Sequence, residues 1–276
     1  MSIDIKNLIF SYNRSTSLEK HALNDVSLSI KKGDFVLISG EVGSGKSTLI
    51  KHMNGLLKPC SGSVEVDGIP THKKDIRSKV GMLFQFPQKQ LFGKTVDEDI
   101  SFGPANFGIK GNQLKKQVHE AMDLMFLDES IASVSPFDLS GGQMRLVAMA
   151  GVLASKPDYL ILDEPASGLD AKNRKILFSI LKKLNSKGIS IIVVSHQISD
   201  VLPLVDRLFL IDSGKIVFKG SPDEYLRSTN LYLPDIPWIM KELHDRGFDV
   251  KFDIFDIDEA FYEVSSLLNP QKVDEQ

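Results

Sequence analysis

The sequence predicts an α/β protein whose mostly parallel sheet is covered by helices, and two patterns carry that prediction. Short runs rich in β-branched and apolar residues alternate with longer stretches of helical periodicity through about residue 225. The composition, 42% hydrophobic and 25% charged, is that of a globular chain able to bury a core. At 276 residues there is room for one large domain and a small appendage.

Strands are expected at Ile3–Phe10, Val26–Ile30, Phe35–Ser39, Val64–Val66, Val80–Phe84, Tyr159–Asp163, Ser190–Ser195, Arg207–Ile211 and Lys215–Phe218. Between Phe84 and Tyr159 the period changes, and helices are expected near Val96–Phe107, Gln113–Phe126 and Gly142–Ala154. This block, about residues 86–155, reads as a helical insertion into the sheet. Past Tyr225 the run LYLPDIPWIM holds two prolines, and an amphipathic helix is expected to begin near Ile239. The organisation is therefore a main domain at 1–226 and a separate small unit at 227–276. About fifty residues rarely bury a core of their own. Trp238, Ile239, Leu243, Phe252, Phe255, Phe261 and Tyr262 are accordingly expected to serve an interface ahead of a small local core.

The formal net charge of −3 speaks against a partner held by phosphate neutralisation, so no nucleic acid is expected. A single cysteine, Cys60, cannot form an internal disulfide and fits a reducing compartment. Apolar runs such as Ile189–Val194 are too short to cross a bilayer, and the N-terminus carries Asp4 in place of a long apolar secretory segment. Any membrane contact is expected to pass through a partner.

Residues 35–48, FVLISGEVGSGKST, set a strand, a glycine-rich loop and a helix start in succession, the context that G-x-x-x-x-G-K-[ST] requires. Glycines at 40, 43 and 45 let the backbone N–H groups approach phosphate oxygens, and the helix after them adds its positive end. The candidate cradle is Gly40, Glu41, Val42, Gly43, Ser44, Gly45, Lys46, Ser47 and Thr48. Within it Lys46 reaches the β/γ-phosphates and Ser47 offers a hydroxyl to Mg²⁺. Downstream, the apolar strand YLILDE ends in Asp163 and Glu164. Desolvating paired acids costs several kcal/mol unless a cation compensates, which Mg·ATP would do. Asp163 is the candidate to hold a Mg²⁺-bound water and Glu164 to polarise the attacking water. A third string, Leu139-Ser140-Gly141-Gly142-Gln143, places a capping serine and two glycines at a helix start, leaving amides bare for a phosphate.

Taken together these strings resemble the ABC-type ATPases, with Walker A at 40–47, the signature at 139–143 and Walker B at 159–163. The resemblance implies a P-loop core with an antiparallel β subdomain, a helical signature subdomain and a small C-terminal dimerisation unit. It carries further residues over. Gln85 matches the Q-loop glutamine that senses Mg²⁺ and the γ-phosphate, and Ser167-Gly168-Leu169-Asp170 matches the D-loop. His196 matches the switch histidine, and Tyr12 stands where the family stacks a ring on adenine. The same resemblance implies a head-to-tail dimer, in which ATP on one Walker A is covered by Ser140, Gly142 and Gln143 of the mate.

Closer similarity runs to the energy-coupling-factor ATPases, through FQFPQKQLF at 84–92, TVDEDISFGP at 95–104 and SPFDLSGGQMR at 135–145, most of all to the second of their two paired ATPases. That implies uptake of vitamins or of transition-metal ions. The implied partners are a second ATPase subunit, identical or related, a transmembrane coupling subunit and a small membrane-embedded substrate-binding subunit. The chain would then sit peripherally on the cytoplasmic face of the cell membrane. Gln88 and Lys89 stand where the family often has an acid, Leu146 where a second arginine usually comes after Arg145, and Ala171 where proline is frequent.

Overall fold

A computed structural model describes residues 1–73, 76–228 and 233–268. The chain opens with a hairpin of β1 (Ser2–Tyr12) and β2 (Lys20–Lys31), then β3 (Phe35–Ser39), α1 (Lys46–Met53), β4 (Ser61–Val66), β5 (Ile69–Pro70), α2 (Ile76–Lys79) and β6 (Val80–Leu83). The helical block comes next as α3 (Val96–Asn106), α4 (Gly111–Leu124) and α5 (Gly141–Leu153). After it come β7 (Tyr159–Asp163), α6 (Ala171–Ser186), β8 (Ser190–Val194), β9 (Arg207–Asp212), β10 (Lys215–Gly220) and α7 (Pro222–Leu226), and last α8 (Asp235–Asp245) and α9 (Ile257–Leu268).

Two sheets result. One is antiparallel, in the order β2-β1-β4-β5; the other runs β10-β9-β3-β8-β7-β6 and is parallel except at its β10 edge. Period-two alternation divides β3 between two cores. Phe35 and Leu37 pack with Leu160, Leu162, Ile191 and Val193 against the helical block, whereas Val36 and Ile38 pack with Ile161, Ile192 and Val194 around α1 and the antiparallel sheet. Strands buried on both faces explain the unbroken apolar runs at 35–38, 159–162 and 191–194.

The alternation in β1 breaks after Ile5, yet Ile3, Ile5, Leu8 and Phe10 all reach the same core. An irregularity in register between Ile5 and Leu8, with Asn7 at φ 47°, resets the facing by one residue. The insertion expected within the sheet is the connection from β6 to β7, which are parallel neighbours and so need a long crossover. Its first helix is capped by Thr95, whose side chain accepts from Glu98 N, and Asp97, Glu98 and Asp99 fill the first turn where the helix dipole favours anions.

The C-terminal helix expected near Ile239 begins four residues earlier, at Asp235, a correction with a clear cause. Pro234 stands at the N-cap and Pro237 in the first turn, where a missing N–H costs nothing. Leu231 and Tyr232 of that run lie outside the described residues, as do 229–230 and 269–276. The aromatic set of this unit divides. Leu243 and Phe252 close a small core of Met240, Val250, Ile254 and Ala260, and Phe252 and Phe255 also pack on the main core. Trp238, Ile239, Phe261 and Tyr262 remain exposed. No helix among the described residues is long and apolar enough to cross a membrane.

Tyr159 joins the two sheets. It is fully buried, and its hydroxyl donates to Asp67 Oδ1 at 2.8 Å, while Lys79 Nζ lies 2.8 Å from Oδ2 and Ser2 N donates to Oδ1 at 3.1 Å. Burial alone would raise the Asp67 carboxyl, but the bonds from Lys79 and Tyr159 outweigh it and hold the group below its usual range. Tyr159→Phe is therefore expected to cost about 1.5–3 kcal/mol at pH 7, read by urea denaturation. A carboxyl depressed in the folded state stabilises above its unfolded value and loses that contribution as pH falls through the folded one, so the deficit should shrink in acid. Equal stability of the two chains at neutral pH would show that this bond does not hold the sheets together.

Candidate functional site

The carboxyl ends of β3, β8 and β7 lie side by side along one edge of the parallel sheet, the crevice where α/β proteins bind ligands. The glycine loop leaves the first of these ends. Two of its glycines have no alternative: a Cβ on Gly40 would stand 2.0 Å from Ile211 O, and one on Gly45, at φ +111°, would stand 2.6 Å from Ala22 O. The loop folds round the Lys46 ammonium, which donates to Gly40 O at 2.7 Å and Glu41 O at 2.8 Å. Lys46 is 7% exposed, and burial lowers its pKa against the opposing charges of Glu164 and Asp163. Ser44 is buried too, and its hydroxyl has no hydrogen-bond partner among the described residues.

Asp163 ends β7 at 9% exposure; burial raises its pKa, a hydrogen bond from Ser47 opposes that, and the Glu164 charge adds to it. Ser47 and Asp163 thus bring a hydroxyl and a carboxylate together, hard oxygen donors of the kind Mg²⁺ takes alongside phosphate oxygens and water. The next residue turns. Glu164 has φ 48°, and its N–H donates to Val194 O at 2.8 Å, extending the β7–β8 pairing past the strand end. Its Oε1 accepts from His196 N at 3.0 Å and lies 2.8 Å from His196 Nδ1, while Ser195 Oγ reaches Oε2 at 3.4 Å. Since β8 runs between β3 and β7, the histidine falls between the loop and the glutamate.

Tyr12, Thr48, Lys46 and Ser47 line a cleft of about 200 Å³ over the loop, with Tyr12 OH 3.1 Å from Thr48 Oγ1. Phe10 supports Tyr12 edge-on at 4.9 Å. Lys20 and His21 also line this cleft and were not legible as site residues; the only sequence signal is the hairpin, which sets Lys20 opposite Tyr12 and His21 opposite Ser11.

The signature forms the exposed start of α5. Ser140 and Gln143 make a capping box, in which Gln143 N donates to Ser140 Oγ at 3.3 Å and Ser140 N to Gln143 Oε1 at 3.1 Å. Around Gly141 and Gly142 there is open space, and neither has positive φ, so packing within the chain does not call for glycine at either. Asp170 caps α6, accepting from Asn173 N at 2.8 Å. Gln85 is exposed past the end of β6 and bonds to none of the described residues, so it is not joined to Ser47 or Asp163 here. Arg145 and Arg174 were missed as well. The first donates to the carbonyls of Pro165 and Ser167, and the second pairs with Asp200 at 2.7 Å.

Residues 23–167 match the ABC transporter family. Among individual relatives, the energy-coupling factor transporter ATP-binding protein EcfA2 of Clostridium tetani is 43% identical over 282 residues, spanning 98% of this chain and 98% of its own length. The solved structure of cbiO1 from Clostridium perfringens, part of the ABC transporter complex cbiONQ, superposes with a TM-score of 0.74 at 31% identity over 89% of this chain and 95% of that one. A dimeric ATP-binding cassette in a post-hydrolysis state bound to ADP and Pi superposes with a TM-score of 0.71 at 31% identity, covering 80% of this chain and 98% of that one. A buried glycine-loop lysine facing paired carboxylates, a serine-capped glycine helix and an alignment along almost the whole chain lead to one assignment: the chain belongs to the ABC transporter ATP-binding family, in its energy-coupling-factor branch.

Proposed function

We propose that the chain binds Mg·ATP at residues 40–48 and hydrolyses it as one half of a head-to-tail dimer that drives an energy-coupling-factor importer. The observation that carries this reading is the convergence of Lys46, Asp163 and Glu164 at one sheet edge, with the Ser44 hydroxyl buried and without a partner among the described residues. Such a set is costly to keep unless a charged, acceptor-rich ligand completes it. A triphosphate supplies acceptors for the loop N–H groups, for Ser44 and for Lys46.

Ser47 and Asp163 would hold Mg²⁺, with Gln85 reaching the same ion on closure. When bound, the metal would supply positive charge that offsets the charge of the phosphates. Glu164 takes the proton of the water that attacks the γ-phosphorus, and the γ-phosphate leaves as inorganic phosphate with ADP as the other product. His196 holds Glu164 in place and donates towards the γ-phosphate; Tyr12 stacks on the adenine. In trans, Ser140, Gly142 and Gln143 cap the mate's γ-phosphate, and the open space at both signature glycines supports that approach. Asp170 of the D-loop lines the same dimer seam.

The second ATPase subunit is identical or closely related. A groove of about 270 Å³ lined by Phe84, Phe92 and Phe102 is read as the seat of the transmembrane coupling subunit, through which a small membrane-embedded subunit presents a vitamin or a transition-metal ion. That seating puts the chain on the cytoplasmic face of the membrane. Residues 1–226 form the nucleotide-binding domain, with the helical subdomain at about 86–155. The unit at 227–276 assists dimerisation through its exposed Phe261 and Tyr262.

Three outcomes test the reading. Glu164→Gln should retain ATP and accumulate the closed dimer while turnover falls on the order of 10²–10⁴-fold; near-normal phosphate release would remove Glu164 from its role. Lys46→Ala should weaken nucleotide binding about tenfold or more in an equilibrium titration, with unchanged affinity counting against the loop assignment. Phe261→Asp, at a side chain 75% exposed, should weaken nucleotide-free association in sedimentation experiments without lowering the melting temperature. A dimer of undiminished strength would reject the C-terminal contact.

A further inference from the structure

The turn after Glu164 has four consecutive carbonyls, and their hydrogen bonds can be accounted for. Glu164 O accepts from Ser167 N at 3.1 Å and Ala166 O from Leu169 N at 3.1 Å, both within the turn. The alternate two point the other way and are taken by one side chain: Arg145 Nη1 donates to Pro165 O, and Nη2 donates to Ser167 O at 3.0 Å. Arg145 is half-buried, and no carboxylate among the described residues pairs with it, so its charge is spent on backbone oxygens alone. The planar fork reaches the two carbonyls from two separate nitrogens of one rigid group.

Its location gives the fork a consequence. Arg145 stands on α5, five positions after the capping Ser140, and it grips the carbonyl of the residue immediately beyond Glu164. Glu164 itself is held in a left-handed conformation with its carboxylate on His196, a placement that a shifted turn would not preserve. We infer that Arg145 is a positioning residue: its fork fixes the Pro165–Ser167 turn to the signature helix and thereby holds the Glu164 carboxylate where the attacking water must sit. This rests on the reading that Glu164 is the base for ATP hydrolysis.

The test uses the full chain with its co-purified partners, carrying Arg145→Met or Arg145→Lys, each alone and with Glu164→Gln. Arg145→Met should lower kcat roughly ten- to a hundredfold while the ATP Kd moves less than about twofold. Arg145→Lys, which keeps the charge without the fork, should recover only part of that loss. Combined with Glu164→Gln, Arg145→Met should reduce the residual turnover by less than about twofold, because the group being positioned is already gone. An unchanged kcat in Arg145→Met, an equal fold-loss in both backgrounds, or a loss that matches a fall in folded fraction would each overturn the positioning role. Absence of turnover in the unsubstituted chain would overturn the functional reading and this inference with it.

Discussion

Lys46 at 7% exposure and Asp163 at 9% stand at the same edge of the sheet, and a charge taken out of water costs several kcal/mol even after relaxation. Burial works against both, lowering the pKa of the ammonium and raising that of the carboxyl, and the attraction between them recovers only part. The strand order makes this arrangement unavoidable. With β8 between β3 and β7, the glycine loop, the histidine and the carboxylates must all emerge side by side. What remains unbalanced is the donor side of the loop, where the buried Ser44 hydroxyl has no partner among the described residues. A polyanion with a divalent cation satisfies both deficits together, so the electrostatics of the edge set the ligand class.

Two helix starts, α1 and α5, use glycine for opposite reasons. Before α1 two of the three glycines are enclosed, since Gly40 and Gly45 meet backbone oxygens of Ile211 and Ala22 at distances no Cβ could occupy. At α5 the glycines meet nothing within 4 Å. The first loop is shaped by its own chain and can hold a phosphate in cis. The second is open to contact from outside, as the proposed dimer requires if a mate is to complete the surround of the phosphate.

The strings of the candidate site were legible because their geometry is local: a glycine loop, a strand ending in two acids, and a capped glycine helix are each contained within some fifteen residues. The fold class was legible for the same reason, since the strands buried on both faces read as unbroken apolar runs. What escaped depends on tertiary placement. Period counting finds the break in β1 after Ile5 but not the register shift at Asn7 that returns Leu8 and Phe10 to the same core. The start of α8 was misplaced because prolines were read as breakers, although at the first turn they are compatible with a helix. Lys20 and His21 reach the cleft only through hairpin register, and the partners of Arg145 lie twenty or more residues away. The C-terminal aromatics divide between a local core, the main core and solvent, a partition that no spacing encodes.

The segment from Glu164 to Asp170 is attached at several points to different bodies. Its first residue is tied to β8 through Glu164 N and Val194 O, its middle to α5 through Arg145, and its last caps α6. Arg174, one turn further along α6, pairs with Asp200 in the loop that leaves His196. The sheet, the helical block and the histidine loop therefore share one short turn. A rigid-body rotation of the helical block against the sheet would leave the β8 tie in place while displacing the α5 tie, so the strain falls on the residues next to Glu164. On the proposed head-to-tail dimer, where α5 would face the mate's nucleotide, this turn would join occupancy at one site to the placement of Glu164 at the other, without any need for a longer path through the core.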